Sequence, residues 1–185
     1  MADYDDDKKR FIFVIGAPGA GKGTLAKRLA KEHDFTHISV GDILRENADK
    51  SAAIGWHVKN GELVPSDHLF PLLRETFRDC SPGCPIILDG FPRRLDQIRG
   101  FEKAFGPPHL VLFFQCTKDV AKERVLAREE GRENDTREGF ETRYKEYLQL
   151  NPPILDYYSH LRGNNKLVEV SVVDIPARIA TLDGF

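Results

Sequence analysis

The run Phe11-Ile-Phe-Val-Ile15 is wholly apolar, β-branched or aromatic, and it breaks into glycines. That pattern predicts a strand buried on both faces of a parallel sheet. Leu25, Leu29 and Ala30 then recur at helical spacing up to about His33, and a second extended run follows at Phe35 to Ile38, completing a strand, loop, helix, strand unit. From about Asp42 to Asn60 the chain is polar and helical with little apolar periodicity, which predicts an appendage on the sheet instead of part of its core. Ser66 is expected to N-cap a helix whose Leu69, Leu72, Leu73 and Phe77 share one face, ending before the turn Ser81 to Cys84. Pro85 to Asp89 and Leu110 to Phe114 are predicted strands, separated by a helix on Leu95, Ile98, Phe101 and Phe105. Thr117 is expected to cap a helix running to about Arg128. A charged, Gly-containing segment extends through Arg137, and the helical pattern resumes at Phe140, Tyr144, Tyr147 and Leu148. Pro152-Pro153 is expected to start another helix, and Lys166 to Val170 is the last strand. Five strands alternating with helices predict an α/β fold with a parallel sheet.

Composition narrows the partners. The 185 residues suit one compact domain with small insertions. Lys+Arg 27 against Asp+Glu 29 gives net −2, so neither nucleic acid nor an anionic membrane is expected as a partner, and any anion binding must be local. The apolar runs fall far short of the ~18 residues of a membrane span, which predicts a soluble, cytoplasmic protein, with the nucleus as the other compartment. The three cysteines, Cys80, Cys84 and Cys116, lack zinc-ribbon spacing and are expected to be idle thiols, and no histidine is assigned a metal. Residues 1–10, with an acidic run followed by Lys8, Lys9 and Arg10, are expected to be a solvated arm or an expression scar and are set apart from function.

Between the first strand and the first helix lie Gly16, Ala17, Pro18, Gly19, Ala20, Gly21, Lys22, Gly23 and Thr24. A glycine-rich loop in that place is where backbone amides and a helix N-terminus face phosphate oxygens, and Lys22 can reach the β- and γ-phosphates as a mobile cation. Gly23, not Ser or Thr, follows Lys22, and the hydroxyl comes one place later at Thr24. Asp89 ends its predicted strand at the carboxyl edge of the sheet, where an acid orients Mg²⁺ or its waters; Thr24 is the companion candidate, the two acting through water.

Beyond this loop the sequence resembles the nucleoside monophosphate kinases, the adenylate kinase and UMP-CMP kinase family. The matches are Gly16 to Thr24, Ser39-Val-Gly-Asp-Ile-Leu-Arg45, Asn60-Gly-Glu-Leu-Val-Pro65, Asp89-Gly-Phe-Pro-Arg93 with Gln97, and Arg128 with Gly131 to Asp135 and Arg143. They run in family order from about Phe11 to Val170. The resemblance implies a doubly wound parallel five-stranded sheet of the P-loop NTPase type within a kinase domain 11–185. It further implies a flap over the monophosphate at about 40–65 and a short lid at about 129–137. It implies ATP on Gly16 to Thr24 with Arg128 over the adenine, and Mg²⁺ as cofactor. The acceptor falls to Val40, Gly41, Arg45, Gly61, Glu62, Leu63, Val64, Gly90, Phe91, Arg93 and Gln97. Arg45 and Arg93 hold its phosphate, while Arg132 and Arg143 bridge the transferring group. Lys22, Asp89, Arg93, Arg132 and Arg143 are the catalytic set. Such chemistry needs charge neutralisation and in-line positioning more than a strong base, which the guanidinium fork supplies.

The chain departs from the family in a flap about one helical turn short, a slightly short lid, and Asn134 where Asp is usual. Adenylate kinases carry Thr and UMP-CMP kinases Ala where this chain has Val40. Gln97 leaves the base open, since its amide matches the N1 and N6 edge of adenine or, flipped, the N3 and O4 edge of uracil. The segments around Leu110 to Cys116 and Arg93 to Gln97 lean toward UMP-CMP kinases. The expectation is therefore a monomeric enzyme moving the γ-phosphoryl of ATP to UMP or CMP, with AMP secondary. An AMP-preferring kinase, a small-molecule kinase with another acceptor and a nucleotide-binding regulator are its rivals.

Overall fold

The computed structural model describes residues 9–128, 135–160 and 166–171. Five strands, β1 (Phe11–Gly16), β2 (Thr36–Ser39), β3 (Ile86–Asp89), β4 (Leu110–Gln115) and β5 (Lys166–Ser171), form one sheet in the order β2-β3-β1-β4-β5. Every pairing is parallel. Seven helices are described: α1 (Lys22–His33), α2 (Val40–Glu46), α3 (Ala52–Asn60), α4 (Ser66–Arg78), α5 (Leu95–Phe105), α6 (Lys118–Leu126) and α7 (Arg137–His160). From β1 the chain passes to the edge strand β2, returns to β3 beside β1, and then crosses to β4 and β5 on the other side, so the carboxyl ends of β1 and β3 lie side by side. This is the doubly wound α/β arrangement, in which ligands meet the sheet where the strand order reverses.

The all-apolar character of β1 follows from its central place. Phe11, Phe13 and Ile15 pack on one face with α4, α5 and the far end of α7, while Ile12 and Val14 pack on the other with α1. On the first face Phe11 meets Phe77 and Phe101 at centroid distances of 5.1 and 5.0 Å, and Phe13 meets Phe91 at 5.1 Å. Such clustered rings combine area burial with favourable edge geometry.

Several local expectations change. Pro65, not Ser66, is the N-cap of α4, and the Ser66 hydroxyl makes no capping bond, because the fixed φ of proline already sets the entry to the helix. Thr117 does occupy the N-cap of α6, but its side chain makes no cap hydrogen bond, and the helix closes at Leu126. Leu72 is only partly buried, and Leu148 is 56% exposed on the outer side of α7. Pro152-Pro153 does not begin a helix; it lies inside α7. The two missing N–H groups deprive the carbonyls of Leu148 and Gln149 of helical donors. The helix nonetheless runs on, because Phe140, Ile154 and Tyr158 are all buried along it. Arg10, assigned to the arm, is part of the fold, since its carbonyl accepts from the Ile86 N–H at 2.8 Å. Among the described residues no helix is long and apolar enough to cross a membrane, and the three thiols are free.

Candidate active site

The sheet's carboxyl edge carries a cleft of about 260 Å³ whose wall includes Lys22, Arg45, Asp89, Arg93, Arg128 and Arg143. Residues from Lys22 to Arg143 thus meet at one place. Arg132 lies outside the described residues, as do 129–134 of the expected lid.

The glycine loop joins β1 to α1. Gly19 has φ 82°, and a Cβ there would collide with the Ala121 carbonyl, so α6 sits directly on the loop. Gly21, with φ 86°, is the N-cap of α1 and offers no side-chain acceptor. The first-turn amides are therefore open to an anion, and the helix dipole favours one there. Ala17 and Ala20 are buried in the core face beneath, so they contribute backbone alone. Lys22 Nζ donates to the Gly16 carbonyl at 2.9 Å and to the Ala17 carbonyl at 2.7 Å. Burial pulls its pKa down to about 8; Arg93, Arg128 and Arg143 add to this, and Asp89 opposes it.

Asp89 ends β3 opposite Val14 of β1 and Ser39 of β2. Its Oδ2 lies 3.0 Å from where a Cβ on residue 23 would stand. That explains Gly23 after Lys22: a larger side chain there would press on the carboxylate. Thr24 opens onto the same cleft. His37 Nε2 stands 3.8 Å from Asp89 Oδ2, too far for a hydrogen bond.

At the other end, the Ser39 hydroxyl caps α2 by accepting from the Asp42 N–H at 3.3 Å, and Asp42 ion-pairs with Arg45. Arg93 is fixed twice: its Nε donates to the Gly90 carbonyl at 3.0 Å, and its backbone N–H donates to Gln97 Oε1 at 2.8 Å. A backbone N–H can only donate, so the Gln97 amide is oriented with its oxygen toward Arg93 and its nitrogen as the remaining donor. Gly41, Leu63 and Gly90 also line the cleft. Val40, Val64, Phe91 and Gln97 are buried beneath it, Val40 and Phe91 within the core cluster. Gly61, with φ 69°, closes α3, and Glu62 turns to His57, its Oε2 3.3 Å from Nδ1.

Between the two ends, Asp135, only 7% exposed, accepts from Arg143 Nη2 at 2.9 Å and stands 3.7 Å from Arg128 Nη1. Sequence reasoning missed several cleft residues. Glu146, Tyr147, Leu150 and Asn151 face it from α7, and their spacing from Arg143 was the available signal. His37 shares its strand face with Ser39, and Arg124 Nη1 lies 3.7 Å from a Cβ built on Gly21. The arrangement sets one anion-binding loop against a cluster of guanidinium groups, with a carboxylate at the seam. It suits two phosphate-bearing molecules held end to end.

The family model described as adenylate kinase matches residues 14–162. The chain is 35% identical over 175 residues to the uridylate kinase of Schizosaccharomyces pombe, covering 89% of this chain and 90% of that one. It is 35% identical over 181 residues to the UMP-CMP kinase of Bos taurus, covering 90% and 92%. To the UMP-CMP kinase of Homo sapiens it is 35% identical over 178 residues, covering 89% and 90%. With the parallel sheet, the loop and the match over most of its length, the chain belongs to the adenylate kinase family.

Proposed function

We propose that this protein is an ATP:nucleoside-monophosphate phosphotransferase that takes UMP and CMP as acceptors and AMP as a secondary one. The observation that carries the reading is one cleft lined together by the Lys22 loop, Arg45, Arg93 and Arg143. The similarity to uridylate and UMP-CMP kinases supports the pyrimidine acceptors.

The loop amides and Lys22 hold the β- and γ-phosphates of ATP, and Lys22 exchanges its two loop carbonyls for phosphate oxygens. Arg45 and Arg93 take the acceptor's phosphate. The resemblance puts Arg128 over the adenine; its sharing of Asp135 with Arg143, and the action of its charge on Lys22, support a place beside the phosphates instead, together with Arg143. That leaves Arg124, beside Gly21, as the arginine nearer the loop's outer side. The donors suit Mg²⁺: a carboxylate at Asp89, a hydroxyl at Thr24, and among the described residues no cluster of three or more metal-binding side chains. A hard cation that keeps several waters and binds through substrate phosphates fits such a sparse set. When bound with ATP, Mg²⁺ supplies charge neutralisation on the phosphates. The segments 40–65 and 129–137 act as the flap and lid that exclude water, which otherwise competes as acceptor. The protein works as a cytoplasmic monomer. The test is ADP formation in a coupled assay across UMP, CMP, AMP and GMP; no acceptor-dependent ADP with any of them would overturn the reading.

A further inference from the structure

Several cations of the cleft have carboxylates beside them. Asp42 pairs with Arg45, Asp89 acts on Lys22, and Asp135 takes Arg143 and Arg128. Arg93 has no carboxylate within ion-pair distance among the described residues; Glu146 lines the same cleft wall, and its charge acts on Arg93 more strongly than that of Asp89. Glu146 lies on α7 just under one turn beyond Arg143, half-buried in the cleft wall. The Arg93 guanidinium is held in the cleft wall by its Nε bond to the Gly90 carbonyl. The charged groups that face Glu146 are Arg93 and Arg94, from the connection between β3 and α5, and Glu62, from the segment after α3. Glu62 is itself turned toward His57. Burial raises the Glu146 carboxyl above the usual range and Glu62 adds to this, while Arg93 and Arg94 oppose it.

We propose that Glu146 is a further acceptor-site residue: the carboxylate that shares the cleft wall with Arg93 and takes up a proton from solvent when an incoming phosphate occupies Arg93. The proposal rests on the reading of this cleft as a phosphate-acceptor site. In the free protein Arg93 favours the ionised carboxylate. A phosphate monoester on Arg93 cancels that attraction and adds a like charge, so the bound state holds the carboxyl proton more tightly. Acceptor affinity therefore gains a component that strengthens as pH falls through the Glu146 titration. Glu146 also weakens acceptor binding at neutral pH.

The experiment is calorimetric titration with UMP, and separately with inorganic phosphate, at mildly acidic pH in two buffers of unlike ionisation enthalpy. The proteins are wild type, Glu146→Gln and Glu146→Asp. The Gln variant should bind UMP more tightly by roughly two- to fivefold, the scale of a partly exposed charge interaction, with ATP affinity unchanged. It should also take up fewer protons than wild type. The Asp variant, which retains the charge, should keep the proton uptake. Protons taken up by the phosphate itself are common to all three proteins and cancel in the comparison. Equal proton uptake by wild type and the Gln variant, or weaker UMP binding by the latter, would overturn the role of Glu146 and leave the acceptor site standing. If phosphate binds but UMP does not, and the Gln variant holds phosphate more tightly, the base assignment fails and Glu146 keeps its role. If wild type binds neither, both readings fall.

Discussion

Arg143 donates from Nη2 to Asp135 Oδ1 over 2.9 Å, so the guanidinium assigned to the transferring group rests on an internal carboxylate. Replacing Asp135 by Asn removes the charge that Arg143 and Arg128 share. The unfolding free energy should drop by about 1–3 kcal/mol, because two partly buried cations lose their counter-charge. ATP with a monophosphate should restore part of that loss, since phosphates supply the missing anion. Urea unfolding with and without nucleotides checks both halves.

Lys22 is the second target. Substitution by Met should cut turnover by roughly 10²-fold or more, as loss of one preorganised charge contact does. Its depressed pKa adds a pH signature. Between about 8 and the ordinary lysine value of 10.5 the unfolded chain binds more protons at this residue than the folded one. The unliganded protein should therefore gain stability as pH rises through that window. Over the same range ATP binding must return the proton to Lys22, so affinity falls as pH climbs above 8. Calorimetry at pH 8.5 should show proton uptake in wild type and less in Lys22→Met.

Gly23→Ala places a methyl 3.0 Å from Asp89 Oδ2. The carboxylate must give by a few tenths of an ångström. The expected result is a higher Mg²⁺ concentration for half-maximal rate, by about threefold or more, with stability changed by less than about 1 kcal/mol. An unchanged Mg²⁺ requirement would remove Asp89 from the metal's surroundings.

The acceptor base is tested at Gln97. Glutamate there keeps an oxygen for the Arg93 N–H but loses the amide donor, so kcat/KM should fall by roughly tenfold or more for UMP, CMP and AMP alike. In wild type the order expected is UMP and CMP ahead of AMP, with GMP poor. AMP preferred over both pyrimidines by tenfold would reverse the assignment.

Much of this molecule was legible in its sequence, for identifiable reasons. β1 could be read because a central parallel strand is apolar on both faces, and the glycine loop because Gly19 and Gly21 need backbone conformations that other residues rarely adopt. The prolines of α7 misled because proline is a local signal, and the burial of Ile154 and Tyr158 that overrides it draws on partners remote in sequence, among them Phe13 of β1 and Phe101 of α5. His37 was missed because a lone imidazole has no spacing partner, and Glu146 because its helical spacing from Arg143 gains meaning only once α7 is known to face the cleft. The orientation of Gln97 was undecidable without the Arg93 N–H that fixes it.

The two prolines have a mechanical consequence. A hydrogen-bond ladder with two rungs missing bends at lower cost than an intact one. In α7 the weak point falls between a half bearing Arg143, Glu146 and Tyr147 and a half anchored by Ile154 and Tyr158. The helix is thus two levers on a compliant joint, with its fulcrum in the aromatic core. Any bend at that joint would carry Phe140, buried against Ala121 and Val125 of α6, together with Arg143, while Ile154 and Tyr158 stay with Phe13 and its ring partners.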